Sequence, residues 1–240
     1  MAQKTLLQIA QAITSELGFP TPQVVMSSTD TNVLKLLALI RATCDDLLHE
    51  HDWQELTKRY TFTTTSGQDN YPMPSDEERF ISASFYDQNN RWPMLGPLTA
   101  VEWEQLKVSN LSTSPFERYR VMGDKLYLYP TPGANTCTFV YEYISNAYCT
   151  SSAGVPQTDL QQDSDIIVFD HRTVVYGTKA KWLASVNMDT TKADEDYARA
   201  LEYVKGTNEP ARRQNITGAG AGVPLLSTFN IPDTGFGGAN

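Results

Sequence analysis

A change of hydrophobic period near residue 57 limits the folds open to this chain. Upstream of it, Val33, Leu36, Leu37, Ile40, Cys44, Leu47, Leu48 and His51 recur at helical spacing and form one face of a long helix over about residues 31–56. Asp30 stands before that run as an N-cap. At 1.5 Å per residue such a helix is on the order of 40 Å long, which is long for a small domain. Downstream, Tyr60, Phe62 and Thr64 alternate in TKRYTFTTTSG, a β-branched and aromatic run closed by Gly67. That is the pattern of a strand ending in a turn. A chain making this switch carries both helices and sheet.

The flanking segments follow the same two periods. Leu6, Ile9, Ala10, Ile13 and Leu17 place an apolar stripe on a short helix over residues 4–17, stopped at Gly18, and FPTPQ after it is loop. NYPMPSD is extended, FISASFYDQNNRWPML predicts strand, a turn at Asp87 to Asn90, and strand, and Thr99 with Glu102 forms a capping box for a short helix AVEWEQLKV. RYRVMGDKLYLYPTPG is the strongest hairpin, turning at Gly123-Asp124, with CTFVYEYIS expected as its partner strand. Residues 149–164 are polar and aperiodic, a loop that delivers Asp163 or Ser164 as the cap of the helix DIIVFDHRTVVYGTKAKWLASVN. That helix is apolar on several sides and holds Gly177 in its interior. A last helix carries Ala193, Tyr197, Ala200, Leu201 and Val204 on one face and ends at Gly206.

From Thr207 to Asn240 the composition turns to Gly, Pro, Ala, Asn and Thr, with isolated Leu225, Leu226, Phe229, Ile231 and Phe236. Such a stretch has no core of its own. It is either a disordered tail or an extended arm that orders on a partner through those apolar side chains; their presence favours the arm.

With 240 residues, 40% of them hydrophobic, the chain buries a core. Its net charge of −9 argues against a protein that grips duplex DNA over a broad face. No apolar run approaches the roughly 18 residues of a membrane span, and the amphipathic N-terminus is unlike a signal peptide, so the chain reads as made and used in a cytoplasm. Cys44, Cys137 and Cys149 share no metal-ligand spacing and read as free thiols, and His49 and His51 point about 200° apart on a helix. Nucleophile-elbow, phosphate-loop and zinc-protease motifs are missing; GAGAGV at 218–223 has neither the strand before it nor the helix after it that a phosphate loop needs. Asp45-Asp46 and Glu77-Glu78 diverge as neighbours on a helix do, and read as solvated faces. No catalytic residue, metal site or cofactor is expected. The aromatic residues Trp53, Tyr60, Phe62, Tyr71, Phe80, Phe85, Tyr86, Trp92 and Trp103 crowd one half of the chain, either as a small sheet packed on helices or as a stacking surface.

The order of these pieces resembles the head-to-tail adaptor family of podoviruses. The likeness spans about residues 5–206 and is carried by Trp53 with Leu56 before the first strand, Tyr71-Pro72 with Pro74 and Asp76, Arg120 to Gly123 leading to Tyr129-Pro130 and Pro132, and Tyr141-Glu142-Tyr143. The resemblance implies an α+β fold: an elongated helical bundle, residues 1–57 and 149–206, with an inserted small antiparallel β domain, 58–148, and an extended C-terminal arm, 207–240. It also implies a virion structural protein and not an enzyme. In that family a ring of twelve copies sits under the portal, lets genomic DNA pass without sequence-specific binding, and carries tail nozzle or fibre proteins. Localisation would be the virion neck, with assembly in the host cytoplasm and no membrane contact. Leu225, Leu226, Phe229, Ile231 and Phe236 are the corresponding portal- or neighbour-binding residues. A tail-associated binding module built on the aromatic region and a virion-carried cell-wall hydrolase are the other classes that remain open.

Overall fold

The structure, a computed structural model, describes residues 4–81, 84–109, 117–134 and 136–208, all within one compact unit, Met1–Asn208. Among these residues five α-helices and eleven strands follow in order: α1 (Leu6–Leu17), α2 (Thr31–Glu50), a 3-10 turn (Gln54–Leu56), β1 (Thr57–Thr63), β2 (Asn70–Pro72), β3 (Glu77–Phe80), β4 (Tyr86–Asp87), β5 (Trp92–Pro93), α3 (Ala100–Ser109), β6 (Arg118–Met122), β7 (Lys125–Tyr129), β8 (Thr138–Ser145), β9 (Cys149–Thr150), β10 (Pro156–Gln157), β11 (Ile166–Ile167), α4 (His171–Ser185) and α5 (Thr191–Asn208).

The expected apolar stripes of α1 and α2 are buried, and Asp30 caps α2 by accepting a hydrogen bond from the Asn32 amide. The long helix is shorter than its period suggests. His51 leaves the helix with φ −155° and ψ 156°, and the chain doubles back so that the Trp53 indole N–H donates to the Leu47 carbonyl at 2.6 Å. A buried tryptophan thus satisfies a helix-end carbonyl that would otherwise need water. The helix expected from Asp165 starts instead at His171, where Asp170 accepts from the amides of Arg172 and Thr173. Ile166 and Ile167 pair with Thr150 and Cys149, so the polar segment read as loop contributes β9 and β10 to a three-stranded sheet, β10-β9-β11. Neither Asp163 nor Ser164 caps α4: Asp163 accepts from the amides of Val25 and Met26, and Ser164 donates to Gln162.

The β6–β7 hairpin forms at the expected turn, but β8 is not its partner. β8 pairs with β1 over seven residues, from Thr57↔Ile144 to Thr63↔Thr138, and also with β3 and β4. β2, drawn from the proline-bearing extended passage, occupies the open edge of β7. Two cores result. One joins α1, α2 and α4 through residues such as Leu6, Ile13, Leu36, Ile40 and Leu47. The other is aromatic, built on Phe85, Tyr119, Phe139 and Tyr141 between two sheets; burying each such side chain contributes roughly 1.5–3 kcal/mol. Trp53 belongs to the helical core, whereas Tyr86 and Trp92 are exposed.

The mixed α+β character expected from the sequence is present, and the elongated helical bundle is not. α1, α2, α4 and α5 do not close a core among themselves, because Ile144, Tyr148, Leu160, Ile167 and Phe169 from strands and loops fill it. α3 lies apart from them, with Trp103 edge-on to Tyr129 of β7. The arm named in the same expectation falls outside the described residues.

Candidate assembly interface

α5 brings the chain to the start of the C-terminal segment. It does not end at Gly206 but runs through to Asn208, and its expected face is the one that packs, with Tyr197, Leu201 and Val204 against the helical core. The last turn is tied down. Lys205 pairs with Glu50 at 2.5 Å, the Asn208 side chain accepts from the Gln54 amide at 2.9 Å and donates to Glu55 at 2.6 Å, and Gln54 donates from its side chain to the Asn208 carbonyl. Asn208 is buried by these contacts. A side chain that completes a polar turn so distant in sequence has no local signal, and sequence reasoning gave Asn208 no role. The predicted binding residues Leu225, Leu226, Phe229, Ile231 and Phe236 lie outside the described residues.

Among the described residues, α3 and the α4–α5 pair each present an open surface. The outer side of α3 presents Val101 and Val108, and a groove of about 410 Å³ between α4 and α5 is lined by Arg172, Tyr176, Arg199, Ala200 and Tyr203. The capping box that starts α3 is formed as expected: Thr99 donates its amide to Glu102 at 2.8 Å, and Glu102 returns its amide to the Thr99 hydroxyl. The Thr99 amide, and then its hydroxyl, donating to the carboxylate hold the Glu102 carboxyl below the usual carboxylate range.

Polar side chains tie elements together. Asp76 accepts from Lys58, Tyr143 and Ser145, and Glu77 accepts from the Tyr141 hydroxyl at 3.0 Å, which pins the start of β3 on β8. Asp46 pairs with Lys181, and Glu78 faces His49. His49 also contacts the Asp45 carbonyl; that contact, and then the Glu78 charge, raise its pKa. A possible metal donor set is Asp87, Glu117 and Cys137, whose ligand atoms lie within 4.8 Å of one another. The Asp87 oxygens, however, already accept from the amides of Asn89 and Asn90 and the Asn90 side chain, so they serve the β4–β5 turn. Cys44 and Cys149 are buried free thiols. Burial pushes both up, Cys149 to about 12, and such thiols are poor nucleophiles.

A family model described as SU10 adaptor protein matches residues 4–220. The chain belongs to the SU10 adaptor protein family. Membership agrees with the likeness to phage head-to-tail adaptors read from the order of sequence elements, and it assigns the chain the general role of a structural adaptor in a phage particle. The SU10 adaptor match takes in every described residue and stops before Leu225. No curated protein matches the chain. Among the described residues no helix is long and apolar enough to cross a membrane.

Proposed function

We propose that this protein is the head-to-tail adaptor of a tailed phage: a ring, twelve copies in the family's pattern, that docks under the portal, extends the DNA channel and carries nozzle or fibre proteins. The observation that carries the reading is the family match across residues 4–220. Charge supports it. The two arginines and two acidic residues of 207–240 cancel, so the net charge of −9 resides on residues 1–206. A strongly acidic body repels a sliding duplex, and a neutral segment with isolated apolar side chains suits insertion into a protein partner.

In this reading residues 207–240 are the docking arm, with Leu225, Leu226, Phe229, Ile231 and Phe236 as its anchors on the portal or a neighbouring copy. The tie between Asn208 and Gln54–Glu55 defines where a clean truncation falls. Removing residues 209–240 is expected to weaken binding to the cognate portal at least 100-fold, measured by co-sedimentation and electron microscopy. The unfolding midpoint of the body is expected to stay within about 2 °C. Undiminished portal binding by the truncated chain removes the arm from the mechanism, and a full-length chain that ignores the portal removes the adaptor reading itself.

A further inference from the structure

Two faces left open within the described residues complement each other. On α3, Val101, Glu104, Gln105 and Val108 fall at i, i+3, i+4 and i+7 and share one side of the helix. Val101 is 65% and Val108 84% exposed, the most exposed large apolar side chains among the described residues. Glu104 between them makes no ion pair among those residues. The second face is the α4–α5 groove. Of its two carboxylates, Asp170 is committed to the N-cap of α4 and Asp196 to Lys192 at 3.0 Å. Arg172 and Arg199 are left without an ion pair among the described residues, beside Tyr176 and the 63% exposed Tyr203.

We propose that α3 of one copy seats in the α4–α5 groove of the next, with Val101 and Val108 against the two tyrosines and Glu104 against Arg172 and Arg199. The proposal rests on the ring reading above and names the surfaces that would make it. An occupant from a second copy follows from charge: bodies carrying −9 repel one another, and a contact between them is favoured where unpaired guanidiniums meet an unpaired carboxylate flanked by apolar groups. Because the two patches differ, the contact is heterologous and repeats head to tail, the arrangement that generates rings.

The full-length chain tests this by sedimentation velocity over a wide concentration range. Wild type is expected to self-associate, and Val108→Asp and the double variant Arg172→Glu/Arg199→Glu are each expected to weaken association at least tenfold. Both sites are exposed, so circular dichroism and thermal midpoints should match wild type. Combining Glu104→Arg with Arg172→Glu/Arg199→Glu in one chain, so that every seam is charge-reversed on both sides, should restore self-association, the readout that separates a direct charge contact from misfolding. A wild type that is monomeric throughout, variants that associate like wild type, or loss of association only on removing residues 209–240 would each overturn the contact. Portal binding by the same chains is scored separately: an adaptor that docks on the portal while these substitutions change nothing keeps the adaptor reading and discards this seam.

Discussion

Gly177 leaves α4 no room for a side chain between its neighbours. A Cβ there would stand 2.8 Å from the Thr43 methyl group on α2 and 2.9 Å from the Tyr197 ring on α5. Ala is the better helix former by about 1 kcal/mol, but overpacking costs about 1–3 kcal/mol. Gly177→Ala is therefore expected to lower the thermal midpoint by a few degrees, checked by differential scanning calorimetry. Glu117 makes a second residue-scale test. Burial, and then the Asp87 charge, push its carboxyl from 4.5 up to about 7, and its buried Oε2 has no hydrogen-bond partner among the described residues. The folded state therefore holds a proton that the unfolded chain releases earlier. The stability this contributes is fully present below about pH 4.5 and is lost as pH rises through about 7. Glu117→Gln should gain about 1 kcal/mol at pH 8, discounted for partial exposure, and nothing at pH 4; urea titrations at both pH values decide it, and an equal shift at each would refute the assignment.

At the level of elements, Asp163 joins two loops that sequence alone leaves unconnected. Its carboxylate holds the amides of Val25 and Met26, the closer at 2.7 Å, in the connection between α1 and α2. Asp163→Ala leaves both donors unpaired next to the buried Val25 and is expected to cost about 1–3 kcal/mol in chemical denaturation. Asp163→Asn, which keeps one acceptor oxygen, should recover part of that. The contrast with its expected role as a helix cap shows what a sequence can reveal. Apolar faces spaced at 3.6 residues were legible, as in α1, α2 and α5, and so were local turns and caps such as Gly123-Asp124 and Thr99 with Glu102. Three features were not. His51 continues the apolar rhythm of α2 although the backbone has already turned; the four-residue run IIVF fits strand and helix equally well; and the partner of β8 lies some 80 residues upstream, beyond any local pattern. The α3 valines were placed on a helix, but whether that face is covered depends on tertiary packing. Asn208 gave no signal for the same reason.

For the molecule as a whole, β8 is the member both cores share: Ile144 lies in the helical core, and Phe139, Tyr141 and Tyr143 lie in the aromatic one. The helical core also needs Phe169 and Val174 from late in the chain. Loss of β8 should therefore unfold both halves together. Tyr141→Ala, at a fully buried position in the middle of the strand, is expected to cost about 3–5 kcal/mol. Its effect should appear as a single transition by both far-ultraviolet circular dichroism and aromatic fluorescence; two separated transitions would contradict the shared strand. The same strand sets the timetable of synthesis. Until residue 145 has left the ribosome, β1 has no partner for its ladder, and α1 and α2 carry an apolar surface whose cover has not yet been translated. The nascent chain therefore stays incomplete sheet and uncovered helix until β8 emerges, and the helical core closes only when Phe169 and Val174 follow it.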